Sequence, residues 1–519
     1  VHKRVVIGPP GTGKTTWLSR HVAELARGTY PSQDETPVLI CSLTRTAAAE
    51  IAGRVDLPAF ATSTIHSHAF RSFEEGQGVV NNDDVTEWNK AHPQWAISAP
   101  KQVYQEGVGA GRRDGDPLFS EVQRLRNLLV PVDRWARDAQ RFHEAWESFK
   151  QDKSKIDFTD MLDLAGPTPP GRPDYIVVDE AQDTSPLAMR LLETWAEHCK
   201  ELIVVGDPWQ ALYTWAGADP AVLSRGDTRS VLSQSWRIPA AVHKVATKWV
   251  RRLSSWENIE YRPRTEPGAV SRSHCSYHEP DALFNDALEY AAEGRSVLFL
   301  TAANYQADHL ARAMRDQGMT FSNPWRASNG LWNPVAPRKG VSTPDRVRAL
   351  LSYDAVDGWS YQDFYTWASG TKEFLRRGQQ KVLKDLAKAR PHSRVGFDEY
   401  ATLVDVNQLV DLTMRDQDGM VEWYRDHCTA ALRPRLDYPL RVLAGQGLEA
   451  LSEEPRIHVG TIHSVKGGEA DRVYLFPDIT PAMAQGDADD LTRMFYVGLT
   501  RARGSLVLCA PAERRYVEI

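Results

Sequence analysis

The sequence predicts an α/β protein built on two parallel sheets, each carrying a mainly helical inserted domain. Three observations predict it. A glycine-rich turn, GPPGTGKTT, follows a short β-branched run and precedes apolar residues at helical spacing. Several other runs are continuously apolar rather than alternating, as expected of parallel strands covered on both faces. These runs fall into two sets, each interrupted by a long stretch of different texture.

Taken in order, RVVIGPP is a strand entering a glycine turn, and Leu18, Val22 and Leu25 recur with the period of a helix. PVLICSL (37–43), DYIVVDE (174–180) and ELIVVGD (201–207) are buried strands. Between residues 70 and 165 the chain is charged, helical and rich in tryptophan, as an insertion would be. The second set is SVLFLTA (296–302), IHVGTIHS (457–464), RVYLFPD (472–478) and SLVLCA (505–510). The interval from 320 to 440 opens on NPWRASNGLWNPVAPRKG, a loop by its Pro, Gly and Asn content, and then turns helical. The expected organisation is a first α/β domain over 1–70 and 165–230 with an insertion at 71–164. A second α/β domain covers 231–320 and 440–519, with an insertion at 321–439.

Composition narrows the function classes. A chain of 519 residues is too long for one hydrophobic core. The net charge of -6 announces no nucleic-acid partner, although a local basic groove would be enough to bind one. The 16 tryptophans suit base stacking or, for most of them, core packing. The cysteines Cys41, Cys199, Cys275, Cys428 and Cys509 are scattered, with no C-x-x-C pair, which suits a reducing cytosol and a cytoplasmic protein. His274, Cys275 and His278 lack a fourth ligand nearby, so a zinc site is not expected there. No signal-peptide pattern opens the sequence, and no apolar stretch is long enough to span a bilayer.

Gly8 to Thr15 fits G-x-x-x-x-G-K-[ST] in the required strand–turn–helix context. Its glycines let successive backbone N–H groups turn toward one anion at a helix N-terminus. Lys14 then reaches the β- and γ-phosphates of a nucleotide, and Thr15 offers a hydroxyl to Mg²⁺. Asp179 and Glu180 end a buried strand, where ligands of open α/β sheets bind. Adjacent acids are also common on surfaces; beside a phosphate loop they become a metal contact (Asp179) and a base for the attacking water (Glu180). Arg237 and Arg501 lie far along the chain. An arginine at the transferring phosphoryl group contributes about 10³–10⁵ in rate. If both reach the γ-phosphate, ATP is a removable clamp between two bodies.

The motif set resembles the UvrD/Rep-like branch of superfamily 1 DNA helicases. SLTRTAAAEI (42–51) is similar to motif Ia, STIHSHAF (63–70) to motif Ib and VDEAQDTSPLAMRLLE to motif II. IDFTDML (156–162) is similar to the segment that leads back into the first sheet. VVGDPWQALYTWAGA (204–218) resembles motif III, LSQSWRI motif IV, VGTIHSVKGGEADRVYLF (459–476) motif V, and FYVGLTRARGSL motif VI. The resemblance implies two RecA-like domains with ATP in the cleft between them. It implies an ATP-binding set of Gly8, Pro9, Gly11, Thr12, Gly13, Lys14, Thr15, Thr16, Trp236, Arg237, Glu469 and Arg501. Within this set Trp236 would stack on adenine, Glu469 would bind ribose, and Arg237 and Arg501 would meet the γ-phosphate. Gln210 would contact the γ-phosphate and couple it to DNA. Thr15 and Asp179 would hold Mg²⁺. Thr44, His66, Tyr213, Trp215 and His463 would meet DNA; core packing is the alternative for Trp215, and a buried structural role for His66 and His463.

The implied activity is ATP-dependent translocation on single-stranded DNA, 3′ to 5′, with duplex unwinding. Its partners would be single strands, single-strand/duplex junctions and replication or repair proteins, with no membrane. A translocase that strips proteins and unwinds poorly is the alternative. A non-catalytic nucleotide-binding scaffold is disfavoured by Lys14, Asp179, Glu180, Gln210, Arg237 and Arg501 being present together. The sequence departs from the family pattern in five places. Seven residues precede Gly8, too few for the family's adenine-reading glutamine motif. Leu43 replaces a frequent phenylalanine. GDPWQ replaces an acidic run, and KGGEA replaces a more apolar one. The second insertion is shorter than usual.

Overall fold

The computed structural model describes residues 2–27, 35–42, 48, 51–73, 78–98, 113–335 and 341–519. By its internal contacts the chain divides into two compact units. The first comprises 1–270, 481–505 and residue 519; the second comprises 271–480 and 506–518. Thirteen strands are present among the described residues: β1 (His2–Ile7), β2 (Val38–Ser42), β3 (Thr62–Thr64), β4 (Gly78–Val79), β5 (Lys155–Ile156), β6 (Tyr175–Val178), β7 (Glu201–Gly206), β8 (Thr228–Val231), β9 (Ala269–Arg272), β10 (Val297–Thr301), β11 (Ile457–Thr461), β12 (Ala470–Leu475) and β13 (Ala502–Leu508).

The sheet of the first unit has the order β3-β2-β6-β7-β1-β8. Every neighbouring pair in it is parallel. The C-terminal ends of all six strands therefore lie along one edge. β6, β7 and β1 are consecutive neighbours, so the loops that follow them meet there. β2 and β7 are buried throughout, as their unbroken apolar sequences require. β8, of sequence TRSV, is exposed along its whole length, as suits an edge strand. Its polarity, like that of β3, hides it from a hydrophobicity pattern.

Between β3 and β6 the chain forms a helical insertion with a core of its own. Trp88 and Trp146 meet edge to face, ring centroids 5.0 Å apart, beside Phe119 and Phe142. Helices Asp116–Asn127, Arg137–Asp152 and Phe158–Asp163 are joined by a buried charge cluster. Lys150 Nζ donates to Asp157 at 3.1 Å and also to Asp160, and Arg126 Nη2 donates to Asp160 at 2.6 Å. Burial alone would raise the Asp157 pKa; Lys150 and Arg126 outweigh it and hold that carboxyl well below the usual range. Glu147, Asp157 and Asp160 are close enough to hold a cation, but the ammonium of Lys150 already bridges all three.

In the second unit the sheet runs β11-β10-β12-β13-β9, with β10 parallel to both β11 and β12. The boundary between the units passes within β9 and β13. Seven helices between Thr343 and Gln446 enclose a separate core around Trp359, Trp367, Phe364 and Trp423. Trp88, Trp146, Trp195, Trp359 and Trp367 are all fully buried, so these tryptophans serve packing. The protein is thus a mixed α/β molecule with two parallel-strand, RecA-like sheets and substantial helix. Among the described residues, no helix is long and apolar enough to cross a membrane.

Candidate active site

The turn after β1 is shaped by its glycines. Gly11 and Gly13 adopt φ of 73° and 80°, conformations that cost a side-chain-bearing residue roughly 1–2 kcal/mol. Close approach adds a second demand at Gly11, where a Cβ would lie 2.3 Å from the Cβ of Arg237. Gly8 N donates to Gly206 O at 2.9 Å, tying the start of the turn to the end of β7. Helix Lys14–Leu25 then begins directly from Gly13, with no side chain capping its first N–H groups. Those groups stay oriented for an anion. Lys14 folds back over the turn and donates from Nζ to Gly8 O at 2.7 Å.

The segment bearing Arg237 is attached to the same turn. Trp236 N donates to Gly11 O at 2.8 Å, and both Ser235 Oγ and Tyr261 Oη donate to Pro10 O at 2.9 Å. Trp236 itself is 74% exposed, its ring beside Gly13. An exposed indole at the rim of a phosphate turn is available for stacking. The strand pattern groups Arg237 and Arg501 with the second sheet. By contacts, both belong to the compact unit that holds Lys14. The physical reason is these bonds to the turn, together with a Trp249 Nε1 bond to Thr492 O at 2.8 Å.

A buried relay connects the remaining groups. Arg501 is 1% exposed; it donates from Nε to Val497 O at 2.9 Å and from Nη2 to Gln210 Oε1 at 2.9 Å. Gln210 Nε2 donates to Asp207 Oδ2 at 2.6 Å. Asp207 N donates to Gln182 Oε1 at 2.9 Å, and Gln182 Nε2 donates to Glu180 Oε2. Trp209 packs edge-on against Tyr496, ring centroids 5.8 Å apart, and so seats the turn carrying Gln210 on helix Ala488–Leu499. Burial pushes the Asp207 carboxyl up to about 6, although the charge of Lys14 and N–H donors from Gln210 and Trp209 oppose the rise. Asp179 is buried at the end of β6, its N donating to Cys41 O at 2.9 Å. Glu180 follows with φ of 52°, a left-handed conformation costing roughly 1–2 kcal/mol in a residue that is not glycine.

Lys14, Thr15, Asp179, Glu180, Gln210, Arg237 and Arg501 therefore come from one unit, and the loops after β1, β6 and β7 bring their backbones to one edge. The donor set fits a nucleotide with Mg²⁺: unpaired helix-start N–H groups, an ammonium, a hydroxyl and a carboxylate. Asp207, Gln182, Ser235 and Tyr261 also build the site, and sequence reasoning did not single them out. Asp207 and Gln182 sit inside the GDPWQ and DEAQD runs; Ser235 and Tyr261 act through hydroxyl bonds that leave no pattern.

Of the residues expected at DNA, Thr44 lies outside the described residues. His66 is half-buried on helix Ile65–Phe70, edge-on to Phe158 at 6.1 Å. Burial lowers its pKa to about 4, so it is neutral at physiological pH. Tyr213 and Trp215 share the turn after β7, ring centroids 6.4 Å apart, and Trp215 is 37% exposed rather than part of a core. His463 and Glu469 are half-buried in the second unit, between β11 and β12.

A family model described as an AAA domain matches residues 2–216, and one described as a UvrD-like helicase C-terminal domain matches residues 456–509. The chain is 24% identical to the ATP-dependent DNA helicase UvrD2 of Mycobacterium tuberculosis over 572 residues, covering 97% of this chain and 76% of that protein. It is 21% identical to the ATP-dependent DNA helicase Rep of Escherichia coli over 621 residues, covering 98% of this chain and 89% of Rep. A putative ATP-dependent DNA helicase of Bacillus subtilis, YjcD, is 24% identical over 251 residues, 42% of this chain and 32% of YjcD, so that match spans about a third of the relative. With a matching family model at each end and relatives aligned along nearly all of its length, the chain is similar from end to end to UvrD/Rep-like DNA helicases.

Proposed function

We propose that the protein is an ATP-dependent DNA helicase that moves 3′ to 5′ on single-stranded DNA. The observation that carries this is the buried relay from Arg501 through Gln210 and Asp207, which ends beside the phosphate turn and the acids of β6. In this proposal the turn 8–16 binds the ATP phosphates and Trp236 stacks on the base. Glu180 accepts the proton of the attacking water. Arg501 and Arg237 balance the charge that develops on the γ-phosphoryl group. Thr15 and, through water, Asp179 would hold Mg²⁺, which would supply charge neutralisation to the phosphates.

Gln210 gives the coupling. One amide contacts Arg501 and Asp207, while Tyr213 and Trp215 follow in the same turn. A shift of that amide on hydrolysis moves the aromatic pair on which bases stack. Stacking is indifferent to sequence, as a translocase needs, and contributes roughly 1–3 kcal/mol per base. Separating one base-pair step costs about 1.4 kcal/mol on average, small enough for one turnover.

The experiment is strand separation on duplexes with a single-stranded tail at either end, with ATP turnover recorded alongside. DNA-stimulated hydrolysis and unwinding from a 3′ tail support the proposal. Turnover with displacement of a bound protein but no strand separation supports the translocase alternative. No DNA-stimulated turnover on either tail contradicts both.

A further inference from the structure

We propose that Gln182 is a positioning residue for ATP hydrolysis, holding the Glu180 carboxylate where it meets the attacking water. This rests on the assignment of Glu180 as the base.

Three observations carry it. First, the Gln182 amide is fully buried and engaged at both ends: Oε1 accepts from Asp207 N at 2.9 Å, and Nε2 donates to Glu180 Oε2. The backbone N–H can only donate, so Oε1 must face Asp207 and the donor end must face Glu180. Second, Glu180 occupies the left-handed region, φ 52°, two residues after the end of β6. Asp183 N donates back to Glu180 O at 3.1 Å and closes the turn, and Gln182 fixes the side chain that this backbone projects. Third, Gly206 makes room for the amide. A Cβ there would come within 2.5 Å of Gln182 Oε1, while Gly206 O accepts from Gly8 N at 2.9 Å. The end of β7 therefore contacts the phosphate turn and the base-positioning amide together.

The geometry also places Gln182 as the last link between Arg501 and Glu180. The group expected at the γ-phosphate and the group expected at the water are the two ends of one chain of bonds through Gln210, Asp207 and Gln182. Removing Gln182 should uncouple them without removing either.

The test uses the full chain with saturating oligothymidylate. Gln182→Met removes both bonds. Gln182→Glu keeps the acceptor for Asp207 N but sets a carboxylate against Glu180, and serves if the methionine variant folds poorly. Both should lower kcat about 10- to 100-fold. KM for ATP, affinity for a fluorescent ADP analogue and Tm should stay close to those of the unaltered chain. A Glu180→Gln, Gln182→Met double variant should be no slower than Glu180→Gln alone, because a positioning residue acts through its partner. An unchanged kcat in both single variants overturns the proposal. So does a multiplicative loss in the double variant, or a parallel loss of ADP affinity and Tm, which marks a merely structural role. Failure of the underlying function looks different: the unaltered chain would show no DNA-stimulated turnover, or Glu180→Gln would turn over normally.

Discussion

The Nη2 of Arg501 donates a 2.9 Å hydrogen bond to Oε1 of Gln210, and both side chains are almost wholly buried. Two residues 291 positions apart thus satisfy each other beside the phosphate turn. A buried guanidinium kept only for stability would be a poor choice, since a well-packed apolar group does as well. Its placement is better explained by chemistry that needs the charge.

Lys14→Ala should abolish turnover. The ammonium now rests 2.7 Å from Gly8 O, within the turn it serves, so its loss removes a charge and leaves the fold intact. ATP hydrolysis with saturating single-stranded DNA checks this, with circular dichroism to confirm folding. Activity should fall by at least about 10³-fold, the scale of a lost transition-state charge contact.

Asp207 predicts a pH limb. Its carboxyl titrates near 6, above the ordinary 3.8, because it is buried. Below about 6 it gains a proton, and an O–H then faces the Gln210 Nε2 donor. The amide must turn over and offer its own N–H to Arg501, breaking the pair. Turnover should therefore fall as pH drops through about 6, and Asp207→Asn should be slow at every pH without that limb. For stability the sign is opposite. The folded carboxyl holds its proton more tightly than the unfolded one, so this group favours the native state most below about 4 and loses that contribution as pH rises to about 6. Urea unfolding of Asp207→Asn against the unaltered chain across that window reads it.

Trp215→Ala should weaken binding of single-stranded DNA by roughly 10- to 100-fold, the equivalent of one lost stacking platform. Trp215 is 37% exposed, so Tm and DNA-free hydrolysis should stay unchanged. Fluorescence anisotropy on oligothymidylate measures the affinity.

Lys150→Ala should destabilise the first insertion by about 3–5 kcal/mol, since it leaves the two buried carboxylates of Asp157 and Asp160 with Arg126 alone to balance their charge. Chemical denaturation followed by tryptophan fluorescence reports it directly, because Trp146 donates to Asp157 at 2.9 Å.

How legible the protein is in its sequence depends on the kind of interaction. Strands β2, β6, β7 and the second half of β1 can be read because burial on both faces forces apolar runs. The phosphate turn can be read because backbone geometry demands glycine at fixed offsets. β8 and β3 cannot, since an exposed edge imposes no pattern. Gln182 and Asp207 stand in plain view within their motifs. Their roles come from hydrogen bonds between loops of different strands, and spacing along the chain does not encode those. Trp236 is legible as an aromatic near Arg237, but its seat on Gly11 becomes visible only once the turn is folded.

The most direct test of the account is Arg501→Ala, assayed for nucleotide binding and for DNA-stimulated hydrolysis in the same preparation. ADP-analogue affinity should stay near that of the unaltered chain, and hydrolysis should slow by about 10³-fold or more. Hydrolysis at the normal DNA-stimulated rate would contradict it.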